Sequence, residues 1–69
     1  KTPRKIQVYN LNSATRDQLV LIPHIDYEIA SNIIEERTLR EGFLNIEDLT
    51  KVEQFPVKKI EIIKLYLSL

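Results

Sequence analysis

The chain has 69 residues, enough for one small domain with a modest core, and it contains no run of about 18 apolar residues that would span a membrane. It has no cysteine and one histidine, which excludes a disulfide framework and a thiolate metal site and argues against a histidine metal cluster, so no cofactor is expected. Its ten basic and ten acidic residues give zero formal net charge, whereas proteins that bind nucleic acid mainly by charge usually carry a basic excess.

The start of the chain shows no helical period, and we expect an extended arm over residues 1–11 followed by a domain over residues 12–69. Within the arm, residues 6–9 alternate apolar and polar side chains as a β-strand does. No other stretch of the sequence offers a partner strand, which favours the extended arm. The chain has no initiator methionine and no apolar leader, and we expect it to be a segment of a longer protein.

Two helices joined by a tight turn are predicted after the arm. Thr15 and Gln18 fit a capping box, in which each side chain accepts a hydrogen bond from the other residue's N–H, so a helix should run over about residues 16–21. Pro23 disfavours helical geometry in the residue before it and ends that helix. Asp26 then caps a second helix. The apolar residues that share one face of this helix are Ile29, Ala30, Ile33 and Ile34.

A second pair of helices is predicted in the rest of the chain. Gly42, the only glycine, follows the second helix at a point where a left-handed residue is favoured. Residues 45–48 start a third helix that carries Leu49 and Val52, and a fourth helix begins at about Val57. One stripe of the fourth helix consists of Ile60, Ile63 and Leu67, with Tyr66 beside it. We expect one core built from Leu19, Ile22, Ile25, Ile29, Ile33, Leu49, Val52, Phe55, Ile60 and Ile63.

The two predicted turns belong to a repeated unit, residues 21–30 and residues 51–60. An apolar residue stands in the middle of each turn, Ile25 in the first and Phe55 in the second, and we expect both side chains to plug the core. In a helix-hairpin-helix, a turn of this kind directs backbone N–H groups at a nucleic-acid phosphate. The repeat therefore predicts two such motifs in tandem.

The residues around the repeat follow the order of a known family. Asn10-Leu11-Asn12-Ser13-Ala14 precedes the first unit, Gly42-Phe43 lies between the units, and Glu47-Asp48-Leu49 precedes the second. Over residues 8–69 this order resembles the tandem helix-hairpin-helix domain of the competence protein ComEA family. The resemblance implies an all-α, SAM-like fold, a small four-helix (helix-hairpin-helix)2 domain, that binds double-stranded DNA without sequence preference. It also implies a role in DNA uptake and a location in the bacterial cell envelope or periplasm.

The chain departs from that family at the hairpin glycines. His24 and Asp26 stand at the glycine positions of the first turn, and Gln54 and Pro56 stand at those of the second. The Asp26 carboxylate would occupy the N–H groups that a phosphate needs and would repel the anion. Pro56 removes one backbone donor, but the helix start that follows it keeps the others. We therefore expect the second turn to be the better phosphate site.

Candidate DNA contacts centre on that second turn. The N–H groups at the start of the fourth helix face outward, and the ammonium groups of Lys58 and Lys59 either hold a phosphate oxygen or are solvated. Lys51 and Lys64 add to the basic charge nearby. His24 can donate to a phosphate, although a lone turn histidine is more often a surface residue. The candidate contacts are Lys58, Lys59, Val57, Lys51, His24 and Ile25.

Two functions are compatible with this sequence. The first, which we expect, is a sequence-independent DNA-binding module that grips the phosphate backbone, because the matching pattern is long and two helix N-termini are presented side by side. The second is a protein-interaction or structural module that kept the fold and lost the phosphate grip, which the missing glycines and the zero net charge favour. An enzyme is not expected, because the sequence offers no nucleophile beside a base, no glycine-rich phosphate loop and no converging pair of carboxylates.

Overall fold

A computed structural model describes residues 7–69 as four helices arranged in two pairs. The first pair consists of α1, Arg16–Leu19, and α2, Tyr27–Arg40. The second pair begins with the third helix, a 3₁₀ helix over Ile46–Lys51. It ends with the fourth helix, which runs over residues 57–66. This helix is 3₁₀ over Val57–Lys59, α-helical over Ile60–Ile63 and again 3₁₀ over Lys64–Tyr66. The predicted all-α fold with four helices is confirmed.

The caps of the first pair form as the sequence predicts. The Thr15 hydroxyl accepts a hydrogen bond from the Gln18 N–H at 3.2 Å, and the Gln18 side-chain oxygen accepts one from the Thr15 N–H at 3.0 Å. The Asp26 carboxylate accepts from the Ile29 N–H at 2.9 Å and so caps α2. The first helix is shorter than predicted, because the N–H groups of Leu21 and Ile22 each bond the third carbonyl before them and tighten the chain into turns.

The left-handed residue that ends α2 is Glu41, with φ 58°, and not Gly42 as predicted. The Gly42 N–H bonds the Arg37 carbonyl at 2.8 Å, while the Glu41 N–H bonds the Thr38 carbonyl at 3.2 Å. This pair of bonds is a Schellman motif with the glycine one position later than expected. A glycine is still favoured at position 42, because its φ of 111° is one that residues with a side chain rarely adopt.

The second pair of helices is held less by local caps than the first. Asn45 makes no side-chain cap bond at the start of the third helix, and the first bonded turn is of the 3₁₀ type, from the Asp48 N–H to the Asn45 carbonyl at 3.2 Å. The fourth helix ends at Tyr66. Leu67 leaves it in an extended conformation, so the prediction that Leu67 continues the helical stripe is wrong, although its side chain is buried.

The two ends of the described chain meet in a small sheet. Strand β1, Tyr9–Asn10, pairs in parallel with strand β2, Leu67–Ser68, and Tyr9 lies opposite Leu67. The prediction that the first strand lacks a partner is therefore wrong. The start of the expected arm, residues 1–6, lies outside the described residues, and the division of the chain at residue 11 stays a prediction.

The core contains nearly all the residues predicted for it. Ile29 and Ile60 are the exceptions, because both are half-buried and pack against its edge. The sequence-based list missed several buried residues, most of which lie outside the helices: Leu11, Ala14, Ala30, Phe43 and Leu67.

Side-chain hydrogen bonds fix the segment before α1 against the end of α2. The Asn12 amide pairs with the backbone of Phe43, since its oxygen accepts from the Phe43 N–H at 2.6 Å and its nitrogen donates to the Phe43 carbonyl at 3.0 Å. The Arg37 guanidinium donates to the carbonyls of Leu11 and Ala14 at 3.1 and 2.9 Å. These bonds hold residues 11–14 against α2 and the residues that follow it.

Candidate nucleic-acid interface

The first turn, residues 22–26, and the second turn, residues 52–56, each carry a left-handed residue at the third position. The angle φ is 72° at His24 and 66° at Gln54, and these residues lie thirty positions apart in the sequence. A left-handed conformation costs an L-residue roughly 1–2 kcal/mol. These are the positions at which the ComEA-like pattern carries glycine. The turn geometry is therefore kept without the residue that adopts it most easily.

Buried side chains hold both turns in place. Ile25 is 5% exposed and Phe55 is 6% exposed, which confirms that each plugs the core beneath its turn. The Ile25 N–H donates to the Ile22 carbonyl at 3.2 Å, and the Phe55 N–H donates to the Val52 carbonyl at 3.1 Å. The side chain of Ile25, one of the candidate DNA contacts, thus lies in the core and not on the surface.

The start of α2, after the first turn, is acidic. The Asp26 carboxylate lies over the first turn of the helix, where it accepts from the Ile29 N–H, and Glu28 follows it. Tyr27 is exposed and donates its hydroxyl to Asp17 at 3.3 Å. His24 is exposed beside these groups. An anion at this helix start would compete with a carboxylate already in place and would be repelled by it.

The start of the fourth helix, after the second turn, is basic. The Lys59 N–H donates to the Pro56 carbonyl at 2.8 Å, so the N–H groups of Val57 and Lys58 precede the first bonded turn. No acidic residue lies in that turn of helix, and the side chains of Lys58 and Lys59 are exposed. Open N–H groups and ammonium groups both attract an anion.

The two repeated units therefore carry opposite charge. Residues 21–30 contain two carboxylates and no lysine or arginine, while residues 51–60 contain three lysines and one glutamate. The net charges are −2 and +2. The zero net charge of the whole chain conceals this difference.

Lys64, which the sequence groups with the second turn, forms ion pairs with carboxylates. Lys64 contacts Glu47 at 3.2 Å and Glu61 at 3.7 Å. The hydrogen bond to Glu47 and the charge of Glu61 raise the pKa of Lys64. A backbone hydrogen bond at Glu47 and the contact with Lys64 lower the pKa of Glu47. Within residues 7–69, the candidate lysines Lys51, Lys58 and Lys59 form no ion pair.

Comparison with known proteins identifies the family. Residues 4–68 match the helix-hairpin-helix motif family. The chain belongs to that family. The narrower likeness to the ComEA family stays a prediction, and no solved structure matches the chain.

The helix-hairpin-helix domain is also similar to part of longer curated proteins. It is 39% identical over 56 residues to the endonuclease/exonuclease/phosphatase family domain-containing protein 1 of Danio rerio, a match that covers 81% of this chain. The proteins of the same name from Xenopus laevis and Homo sapiens are 36% and 34% identical over 55 residues, or 80% of this chain. In each case the match spans 10% of the relative's length.

The structure adds one contact at the second turn that the sequence did not predict. The side-chain nitrogen of Asn32, on α2, donates to the carbonyl of Glu53 at 3.0 Å. A polar residue beside an apolar helix face is ordinarily solvated, so periodicity alone does not reveal this contact. The available signal was the residue type, because asparagine is a poor helix former in the middle of a long helix.

Within residues 7–69, no three histidine, cysteine or acidic side chains are grouped as a metal site would require. In the same range, no helix combines the length and apolar character needed to cross a membrane.

Proposed function

We propose that this helix-hairpin-helix domain binds double-stranded DNA without sequence preference, through phosphate contacts at its second turn. The observation that carries the proposal is the start of the fourth helix, where open N–H groups stand beside the exposed lysines Lys58 and Lys59. Such contacts go to the phosphate backbone, which has no sequence information, so the binding is non-specific. The left-handed residue found in both turns and the family membership support the same function.

The charge of the chain limits the expected affinity. Phosphate contacts release counterions, and the slope of log affinity against log salt is about −0.9 for each phosphate neutralised. The second unit contains only three lysines and also one glutamate, so we expect weak binding with a shallow salt slope. A domain of this kind serves best as an accessory that holds DNA for other parts of a longer protein.

The names of the relatives suggest an activity for the other parts of such a protein. Their shared name refers to an endonuclease/exonuclease/phosphatase family domain, and the matched segment is a tenth of their length. We propose that this chain is a non-enzymatic module of a longer protein and presents DNA to a separate domain. The likeness to ComEA supports a second setting, DNA uptake at a cell envelope, with the same phosphate contacts.

A protein-interaction module is the second candidate function. Leu39 and Leu44 are 75% and 84% exposed, which leaves two large apolar side chains accessible to a protein partner. The acidic first turn points the same way, since it disfavours a second phosphate contact.

A salt titration of duplex binding tests the proposal. Fluorescence anisotropy with two duplexes of unrelated sequence should give equal affinities that fall linearly in log–log form with salt. The double variant Lys58→Gln, Lys59→Gln should bind more weakly and lower the slope by about one to two units. The control is Arg16→Gln, because Arg16 belongs to the first pair of helices, where its guanidinium carbon lies 5.6 Å from the centre of the Tyr27 ring. Absence of binding by the wild-type chain at low salt would favour the protein-interaction module.

A further inference from the structure

The contact between Asn32 and Glu53 joins two parts of the domain that are 21 residues apart. Asn32 lies in the middle of α2 and is half-buried, while Glu53 lies in the second turn directly before the left-handed Gln54. The acceptor is the backbone carbonyl of Glu53. The bond therefore fixes the peptide plane between Glu53 and Gln54, whatever side chains these residues carry.

The orientation of that peptide determines where a backbone donor points. The peptide is trans, so its C=O and N–H groups point in opposite directions. Because the Glu53 carbonyl faces Asn32, the N–H of Gln54 faces away from α2. This N–H makes no hydrogen bond within residues 7–69. It is an oriented donor on the outer side of the second turn.

We propose that Asn32 is a positioning residue for the DNA contact, which it does not itself touch. By holding the Glu53 carbonyl inward, it keeps the Gln54 N–H available to a phosphate, next to the open N–H groups of Val57 and Lys58. The bond also holds Gln54 in a backbone conformation that is costly for a non-glycine residue. This inference rests on the proposed function only for the identity of the ligand.

The first turn has no equivalent of this bond. The position that corresponds to Asn32 in the fourth helix, thirty residues later, is Ile62, whose side chain has no donor. Within residues 7–69, the carbonyl of Pro23, which corresponds to that of Glu53, accepts no hydrogen bond. The positioning bond therefore occurs at the turn that carries the lysines and is missing from the turn that carries the carboxylates.

Replacement of Asn32 by alanine in the full chain tests this role. Asn32→Ala should leave global stability nearly unchanged, because alanine's higher helix propensity offsets much of the lost hydrogen bond. Duplex binding should nevertheless weaken by about three- to tenfold, the loss that corresponds to one hydrogen bond at a contact. Leu39→Ala is the matched control, because Leu39 lies on the same helix, is exposed and makes no hydrogen bond with its side chain.

A spectroscopic readout separates the positioning role from DNA binding. In NMR spectra without DNA, the Glu53 carbonyl carbon and the Gln54 amide nitrogen should shift in Asn32→Ala and stay unchanged in Leu39→Ala. Unshifted resonances in a folded Asn32→Ala variant would overturn the positioning role. If the resonances shift but wild-type chain fails to bind duplex at low salt, the proposed function fails while the peptide contact stands. Shifted resonances with unaltered duplex affinity would show that the oriented N–H does not contact DNA.

Discussion

The two turns of this domain follow a similar backbone path as far as the buried plug and then offer opposite chemistry. In each, a left-handed non-glycine residue precedes a buried plug, Ile25 in the first turn and Phe55 in the second. The residue after the plug differs. Asp26 caps a helix of 14 residues, whereas Pro56 precedes a short 3₁₀ segment that carries two lysines. The shared path depends on buried packing, and the binding properties depend on the residues that open the next helix.

This division separates the requirements of the fold from those of a ligand. A carboxylate at a helix start contributes about 1 kcal/mol of helix stability but places a negative charge where a phosphate would bind. Proline contributes no cap bond and leaves that place open. The residue after the first plug therefore stabilises a helix, whereas the residue after the second plug leaves a helix start open to an anion.

The largest effect should come from removing a plug. Phe55→Ala should lower the free energy of unfolding by about 3–5 kcal/mol, because a buried aromatic ring is lost and a cavity remains. Ile25→Ala should cost about 2–5 kcal/mol for the same reason. Urea denaturation followed by circular dichroism measures both. A loss below about 1 kcal/mol for either variant would show that its turn does not depend on the plug.

A charge exchange between equivalent positions should have the next largest effect. Glu28 and Lys58 occupy the same place in the two repeated units, and both are exposed. Lys58→Glu should weaken duplex binding by roughly tenfold at low salt, since it removes one phosphate contact and adds a repulsive charge. Glu28→Lys should strengthen binding by less, because Asp26 still occupies the helix start. Equal and opposite changes would mean that only net charge matters, and would contradict a site localised at the second turn.

The cap of α2 tests whether the residue after the first plug contributes to the stability of the fold. Asp26→Ala should lower the free energy of unfolding by about 1 kcal/mol, because the Ile29 N–H loses its partner. Asp26→Asn is the control, since asparagine caps nearly as well and removes the negative charge. Calorimetry should show Asp26→Asn close to wild type in stability, and its duplex affinity should rise. A loss of stability as large in Asp26→Asn as in Asp26→Ala would rule out the capping role.

Local features of the fold could be predicted from the sequence because they depend on residues close together in the chain. The capping box at Thr15, the cap at Asp26 and the two plugs each follow from a pattern that spans a few residues. The pairing of β1 with β2 could not be predicted, because each strand has two residues and the partners lie at opposite ends of the chain. Strands of that length show no alternation.

Only those parts of the candidate site that are adjacent in the sequence could be predicted. Adjacency in the sequence is enough to bring Val57, Lys58 and Lys59 together at the second turn. It does not show that Lys64 is engaged by carboxylates from two helices, nor that Asn32 reaches the Glu53 carbonyl. Both contacts depend on how the helices pack, which a periodic pattern does not specify.

The smallest predicted effect concerns the ion pair of Lys64 with Glu47 in the second hairpin. The pKa of Glu47 lies below its ordinary value of 4.5, so its contribution to stability is present above that pH and is lost as the pH falls through the lower, folded value. The pKa of Lys64 lies above 10.5, so its contribution is present below that pH and is lost only as the pH rises through the higher, folded value. Glu47→Gln should therefore lower the melting temperature slightly at neutral pH and match wild type in acid. Lys64→Gln should lower it slightly more, because this change also removes the contact with Glu61. The double variant should lose little more than Lys64→Gln alone, because both changes remove the pair of Lys64 with Glu47. Additive losses in the double variant would mean that the two side chains stabilise the second hairpin through separate contacts.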